Sequence, residues 1–268
     1  MIKDITIGQY YPQESVIHRL DPRVKLMGTL VYMIALFVVD SLWGYGICAL
    51  ALALVVAASK VPPGFIFKGL KAIFVILLLT VIGNLFFTPG TVLWQWKAIK
   101  ITHEGVMIAV KMACRLVLLI TGSSMMTLTT TPNQLTDGLE KALKPLSKIR
   151  VPVHEIAMMM SIALRFIPIL IEETGKIMKA QAARGANFEE GGLIKRVKSY
   201  VPILVPLFVA AFRRAYDLAL AMEARCYRGG EGRTKLKPLR YHLRDGIAYL
   251  LMCGGLGGLI TGRILIGL

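Results

Sequence analysis

The sequence contains few acidic residues: 16 Asp and Glu stand against 32 Lys and Arg in 268 positions. Its apolar stretches lack the buried carboxylates that proton- or sodium-coupled carriers use inside a membrane. It also lacks Gly-x-x-x-x-Gly-Lys-Ser/Thr, His-Glu-x-x-His and Gly-x-Ser-x-Gly motifs. These three motifs are typical of a phosphate-binding loop, a zinc protease and a serine hydrolase. We therefore expect no catalytic residue and no bound cofactor in this chain.

The cysteines and histidines do not form a metal-binding or disulfide pattern. The four cysteines are far apart, with no Cys-x-x-Cys pair, and the four histidines are isolated from one another. The four are Cys48, Cys114, Cys226 and Cys253. Three of them lie in or near apolar stretches, where a free thiol behaves as a small hydrophobic group. We expect neither a metal site nor a disulfide framework.

Long uncharged apolar runs are abundant. The chain is 55% hydrophobic and has a mean hydropathy of +0.61. A hydrocarbon core of about 30 Å needs roughly 20 apolar residues in a helix, and several runs approach or exceed that length. They cover residues 26–39, 42–59, 72–96, 116–132 and 246–262. The sequence is therefore that of a membrane protein surrounded by lipid.

The pattern of apolar runs and helix breakers predicts an all-α polytopic membrane protein with about five transmembrane helices. The expected spans cover about 23–39, 42–59, 70–87, 104–129 and 246–266. Three further helices are expected in a cytoplasmic region: an amphipathic one after Thr131-Pro132, and two long ones over 154–184 and 201–225. We therefore divide the chain into 1–130, 131–240 and a last span in 241–268.

Positive charge is concentrated in one part of the chain. Twenty of the 32 Lys and Arg residues lie between residues 131 and 245. Lys and Arg are enriched in the cytoplasmic connections of membrane proteins, so this region is expected inside the cell. Nucleic acid is a poor explanation of the charge, because the basic residues flank apolar spans and no aromatic stacking platform accompanies them.

The two long helices end in the same short pattern. "QAARGANF" (181–188) contains Ala183, Arg184 and Gly185, and "MEARCYRG" (222–229) contains Ala224, Arg225 and Cys226. A single cation at a helix C-terminus is ordinarily explained by the helix dipole. Two matching tips on two half-apolar helices suggest a second role. Each Arg could reach a carboxylate on a partner that offers two equivalent pockets.

At this point the sequence resembles the T component of energy-coupling factor (ECF) transporters, the EcfT/CbiQ family. The resemblance covers nearly the whole chain. It is carried, in order, by "HRLDPRVKL" (18–26), "TTTPNQLTDGLEKALKPL" (129–146), "ALRFIPILIEE" (163–173) and "AQAARGA" (180–186). The second Ala-Arg motif departs slightly from the family pattern, because Cys226 occupies the position of its small residue.

The resemblance implies a non-catalytic scaffold in an ATP-driven importer of vitamins or related micronutrients in a prokaryotic plasma membrane. The implied partners are two cytoplasmic ABC-type ATPase subunits and a membrane S component that binds the substrate. Arg184 and Arg225 are implied to dock in the two ATPases, and the apolar faces of their helices to hold the S component. The apolar half of such a helix must be covered, either by another membrane protein such as the S component or by lipid.

Two other features and two rival functions remain open. Lys111 and Arg115 lie within a span, where they either snorkel to the outer interface or contact a polar partner. Gly254, Gly258 and Gly262 lie on one face of the last span and suit close helix packing. The rival functions are a stand-alone secondary carrier, which needs a mid-membrane ion or substrate site, and a membrane enzyme, which needs a cluster of catalytic side chains.

Overall fold

The computed structural model describes residues 10–96, 99–186, 192–229 and 239–266, which are mainly helical. The α-helices in these ranges are α1 (Pro22–Val38), α2 (Leu42–Ser59), α3 (Pro63–Phe87), α4 (His103–Thr129), α5 (Pro132–Leu143), α6 (Val153–Ala183), α7 (Leu193–Ala224) and α8 (Leu243–Ile266). A 3-10 helical segment, Lys144–Ile149, follows α5. The predicted all-α membrane fold is confirmed, with one short β-hairpin added to it.

Four of the described helical stretches are long and apolar enough to cross a membrane: α2, α4, α6 and Leu243–Gly262 of α8. The two segments of α3, Pro63–Lys71 and Ile73–Phe87, add a fifth if they form one bent span. By the same criteria α1, with 17 residues, is short. Length and composition therefore include α6 among the candidate spans, whereas the sequence pattern assigns it to the cytoplasmic region 131–240. That division of the chain stays a prediction.

A short β-hairpin connects α3 to α4. β1 (Val92–Trp96) pairs antiparallel with β2 (Ile99–Thr102). The Thr102 hydroxyl then accepts a hydrogen bond from the Gly105 backbone N–H at 3.1 Å, which caps the start of α4. Glu104 binds the Thr91 N–H at 2.7 Å and so connects the two ends of the hairpin.

Two helices begin earlier than the sequence predicts. α3 begins at Pro63 rather than near residue 70, because a proline is well tolerated at the first helical position. α7 begins at Leu193 rather than near 201 and contains Pro202 and Pro206 in its interior. A proline inside a helix has no N–H, so the carbonyl four residues before it loses its usual donor. The helix can continue through the proline when another group donates to that carbonyl.

Arg115, in the interior of α4, has partners within the chain. Its guanidinium donates to the carbonyl oxygen of Val39, the residue that ends α1, at 3.2 Å, and lies 3.5 Å from the Asp40 carboxylate. It also lies over the ring of Tyr45, 5.7 Å from the centroid. The two explanations left open for Arg115 are therefore replaced by a third: it fastens the end of α1 to α4.

The described residues form two compact units, one within Gly8–Ala142 and Leu239–Leu268 and the other within Leu143–Pro238. The first unit has its apolar core around α4, which packs against α1, α2 and α3. Two clusters of buried side chains form this core. One holds Leu52, Val61, Ile66, Met125 and Leu128, and the other holds Leu36, Val39, Tyr45 and Cys48.

The start of α1 is joined to the start of α8 by polar groups. The Asp21 carboxylate caps α1 by accepting from the Arg23 N–H at 2.9 Å and pairs with the Arg23 guanidinium. Arg23 in turn covers the ring of Tyr241 at 4.1 Å. Nearby, the Lys25 ammonium donates to the Thr129 carbonyl oxygen at 2.8 Å. The segment "HRLDPRVKL" is therefore a structural junction between three parts of the first unit.

Candidate coupling site

The first Ala-Arg tip is a Schellman motif at the end of α6. The N–H of Ala186 donates to the Gln181 carbonyl at 3.0 Å, and the N–H of Gly185 donates to the Ala182 carbonyl at 3.0 Å. This pair of bonds requires a left-handed residue after the helix, and Gly185 has φ +86°. Arg184 is the capping residue just before it. The small residue after Arg184 is thus needed to stop the helix immediately beyond the cation.

The second tip, at the end of α7, has the same hydrogen-bond pattern. The N–H of Tyr227 donates to the Met222 carbonyl at 3.0 Å, and the N–H of Cys226 donates to the Glu223 carbonyl at 2.8 Å. Cys226 is left-handed, with φ +56°, a conformation that is costly for a residue with a Cβ atom. The two tips are therefore equivalent in backbone geometry, although a cysteine replaces the glycine in the second.

Both arginines are presented to solvent. Ala183, Arg184 and Gly185 are exposed at the first tip, as are Ala224, Arg225 and Cys226 at the second. Within the described part of the chain, no side-chain hydrogen bond or ion pair engages the Arg184 or Arg225 guanidinium. An exposed cation at the C-terminal, negative end of a helix dipole is favourable by itself, which accounts for an arginine at this position. The dipole does not engage the five N–H donors of the guanidinium group.

The two tips lie at opposite ends of a helix pair. Three contacts join α6 to the α7 segment: Met158 with Tyr227, Glu173 with Arg214, and Gln181 with Pro202. The residue numbers increase along α6 while those of the partners decrease. The helices are therefore antiparallel. Tyr227 follows the second tip and contacts Met158, and Met158 precedes Arg184 by 26 positions. At 1.5 Å per residue the two arginines are separated by roughly 39 Å along the pair.

Gln181 connects the first tip to α7 through a specific backbone defect. The Pro202 carbonyl would normally accept from the N–H of residue 206, but residue 206 is a proline and has none. The Gln181 side-chain amide donates to that carbonyl at 3.1 Å. Further along, Arg214 and Glu173 form an ion pair at 3.2 Å. These contacts position the last turn of α6 against α7.

An exposed apolar stripe runs along α7. Its members recur every three or four residues, the spacing of one helix face, and each is between 46% and 73% exposed. They are Val201, Leu204, Val205, Phe208, Val209, Phe212, Tyr216 and Leu220. A continuous apolar strip of this length is typical of a surface that contacts lipid or another protein. The apolar half of this helix is evident in the sequence, and the helical period extends the stripe to Tyr216 and Leu220.

The predicted packing face of α8 has no close neighbour in the described ranges. A Cβ atom built on Gly254 or Gly258 meets no atom within 4 Å, and Gly262 is half-buried. Close approaches occur elsewhere: a Cβ on Gly122 would lie 2.8 Å from the Tyr32 ring. The packing role of the three α8 glycines stays a prediction.

The comparisons with known proteins agree on one family. The family model CbiQ, described as "Cobalt transport protein", matches residues 13–236. The chain is 57% identical over 252 residues to an "Energy-coupling factor transporter transmembrane protein EcfT" of Clostridium kluyveri, covering 93% of each chain. It is 55% identical to the protein of the same name from Ruminiclostridium cellulolyticum over 241 residues, 90% of each chain. The chain belongs to this family of ECF transporter transmembrane proteins.

A third relative supports the same conclusion. The EcfT protein of Acidaminococcus fermentans is 53% identical over 252 residues, which is 94% of each chain. These alignments span both compact units, so the long helices and the Ala-Arg tips belong to the matched region. The resemblance predicted from the four sequence motifs is confirmed, and the chain is a multi-pass membrane protein of a transporter family.

Proposed function

We propose that this chain is the non-catalytic scaffold and coupling subunit of an ATP-driven ECF importer of vitamins or related micronutrients in a prokaryotic plasma membrane. Arg184 and Arg225 each dock in one of two cytoplasmic ABC-type ATPase subunits. The apolar stripe of α7 holds the substrate-binding S component. The observation that carries this proposal is the pair of equivalent tips: two matching backbone motifs present two guanidinium groups that have no partner among the described residues.

The antiparallel arrangement supports a partner with two separate pockets. A separation of roughly 39 Å between the tips is too large for one small pocket and suits two subunits side by side. The Gln181–Pro202 contact and the Arg214–Glu173 ion pair join the two helices. Motion of either ATPase can therefore be transmitted along a helix pair to the apolar stripe, because the tips and the stripe belong to the same two elements.

The decisive experiment replaces the tips by opposite charge. Removing one partner of a desolvated charge pair typically costs about 2–5 kcal/mol of binding free energy. Arg184→Glu or Arg225→Glu should each weaken co-purification of the ATPases, and the double variant should nearly abolish it together with ATP-dependent uptake. Lys179→Glu is the matched control, because Lys179 is an exposed cation on α6 just before the tip.

Two outcomes would contradict the coupling role. The tips would be ordinary helix caps if the double variant retained both ATPases and transported at the wild-type rate. Uptake by the purified chain alone, without ATPases or an S component, would favour a secondary carrier instead. In either case the fold should persist, because both guanidinium groups lack intramolecular partners in the described ranges.

A second experiment addresses the apolar stripe. Phe212 is 73% exposed at its centre, so Phe212→Asp should leave the chain folded but release the S component. Arg213→Asp introduces the same carboxylate, with a larger change of net charge, at an exposed position one residue away, about 100° around the helix. Equal S-component retention by the two variants would show that the stripe is not the docking surface.

A further inference from the structure

The connection between α5 and α6 is strongly basic and exposed. Residues 141–154 contain Lys141, Lys144, Lys148 and Arg150 but no Asp or Glu. Every residue from 144 to 150 is exposed. We call residues 144–150 the basic wedge. It contains neither Ala-Arg tip, and neither the coupling role nor the apolar stripe accounts for it.

The backbone of the basic wedge has a defined shape. Lys144–Ile149 is a 3-10 helix, and Arg150 ends it in the left-handed conformation with φ +63°. The Arg150 N–H donates to the Ser147 carbonyl at 3.1 Å, and the Ser147 hydroxyl donates to the Lys144 carbonyl at 2.7 Å. Local hydrogen bonds therefore hold the segment in one conformation even though its side chains contact little.

This shape sorts the side chains onto three edges. In a 3-10 helix, residues three apart are eclipsed, so Leu146 and Ile149 share one edge. They are 40% and 78% exposed, respectively. Lys144 lies on the second edge with Ser147, and Lys148 lies on the third with Pro145. An exposed apolar edge is thus flanked by a cation on each side.

An apolar edge between two cations matches the boundary of an anionic membrane. Apolar side chains enter the region between headgroups and acyl chains, while Lys and Arg bind the phosphates. The wedge also leads directly into the apolar half of α6, where Ile156 and Met159 are exposed. An acidic protein surface would satisfy the cations but would leave Ile149 with no apolar counterpart.

We propose that the basic wedge is a binding site for anionic phospholipid headgroups. Ile149 and Leu146 insert beside the headgroups, and Lys144, Lys148 and Arg150 bind the phosphates. The wedge then holds the start of α6 at the cytoplasmic water–lipid boundary. The proposal is independent of the coupling role, because it places no requirement on Arg184 or Arg225.

Photo-crosslinking in the full transporter complex tests the site. The photoreactive amino acid benzoylphenylalanine replaces Ile149 in the chain, which is reconstituted with its partners in bilayers of phosphatidylcholine and phosphatidylglycerol. Mass spectrometry then identifies the adduct. We expect lipid adducts enriched in phosphatidylglycerol. The same probe at Ser147, on a different edge of the wedge, should give several-fold fewer lipid adducts.

The contribution of charge is tested with Lys144→Gln plus Lys148→Gln, carrying the probe at position 149. Each cation near an anionic surface changes binding by about fivefold, so removing two should lower the phosphatidylglycerol preference by roughly 25-fold. Lys176→Gln plus Lys179→Gln is the matched control, because it removes two exposed lysines of α6 outside the wedge. This control should retain the preference.

Three results would overturn the proposal: adducts at position 149 mainly on an ATPase or another protein, equal lipid labelling from positions 147 and 149, or an unchanged lipid preference in the Lys144/Lys148 variant. If that variant failed to fold, the comparison of positions 149 and 147 would decide the question, because both probes leave the cations in place.

Discussion

The Asp245 carboxylate accepts a hydrogen bond from the backbone N–H of Asp21 at 3.0 Å, although 224 positions separate the two residues. Its second oxygen accepts from the His242 N–H at 2.8 Å, which caps the start of α8. Asp245 is only 2% exposed. One buried carboxylate therefore satisfies two backbone donors from distant parts of the chain, and it fixes the start of α8 against the start of α1.

This contact predicts a strong stability effect. Asp245→Ala leaves the N–H of the buried Asp21 without its acceptor, which costs about 1–3 kcal/mol, and removes the helix cap from the N–H of the exposed His242, which costs about 1 kcal/mol. We expect unfolding of the purified chain in detergent to require about 2–4 kcal/mol less free energy. Asp217→Ala, at an exposed position of α7, should change stability by less than about 0.5 kcal/mol. Equal effects of the two substitutions would contradict a structural role for the junction.

The two tips predict opposite responses to substitution at their left-handed residue. Gly185→Val places a β-branched side chain at φ +86° and should destabilise the first tip by about 1–3 kcal/mol. Cys226→Gly removes the Cβ atom at φ +56° and should not weaken the second tip. Hydrogen exchange of the Ala186 and Tyr227 amides measures each effect directly.

The same two variants distinguish the effect of the backbone geometry of a tip from the effect of its charge on ATPase binding, because both variants keep Arg184 and Arg225. If the direction of the guanidinium matters, Gly185→Val weakens ATPase co-purification while Cys226→Gly leaves it unchanged. Full retention of the ATPases by Gly185→Val would show that the cation alone suffices.

His18 predicts a pH-dependent contribution to stability. Its Nε2 lies 3.1 Å from the Tyr11 carbonyl and its Nδ1 2.7 Å from the Ser15 hydroxyl, which suits a neutral ring with the proton on Nε2. Burial, the largest cause, lowers the pKa of His18 below its ordinary value of 6.5, and the nearby Lys25 charge lowers it further. The folded chain thus binds a proton less readily than the unfolded chain.

The stabilising effect is therefore complete above the unfolded pKa of 6.5 and is lost as pH falls toward the lower folded pKa. His18→Gln removes this titration. The difference in unfolding free energy between wild type and His18→Gln should shrink from about pH 7.5 to about pH 5. A difference that is independent of pH would mean that His18 titrates alike in both states.

Two glycines predict contrasting effects of a single methyl group. Gly122→Ala brings a Cβ atom within 2.8 Å of the Tyr32 ring, so overpacking should cost about 1–3 kcal/mol. Gly258→Ala meets open space and should leave the isolated chain as stable as wild type. Gly258→Leu should then impair assembly with a membrane partner rather than folding. Loss of folded protein for Gly258→Leu in the absence of partners would place the packing partner within this chain.

Much of the helical pattern could be predicted from the sequence because its causes are local. Apolar runs, Thr131-Pro132 and the two Ala-Arg-small ends act within a few residues, so they indicate where helices begin and end. The early starts of α3 and α7 do not follow from the sequence pattern, because a proline ordinarily indicates a break in a helix. Pro63 lies at a first helical position, and the carbonyl orphaned by Pro206 has a partner on another helix.

The partner of Arg115 could not be predicted for a related reason. Snorkelling and contact with another protein both assume that a cation inside a span has no partner in its own chain. The structure places the end of α1 beside α4, where the Val39 carbonyl lacks a helical donor and accepts from Arg115. A cation within a span and an uncapped helix end are each visible in the sequence, but their proximity is not.

The sequence by itself determined the family, the membrane character and the chemistry of the two tips, because these depend on composition and on hydrogen bonds that close within six residues. Only the tertiary structure decided that the tips lie at opposite ends of an antiparallel pair. It also decided that Gln181 reaches Pro202 and that Asp245 reaches Asp21. These contacts join residues distant in sequence, and no local pattern specifies which buried donor and acceptor meet when the chain folds back on itself.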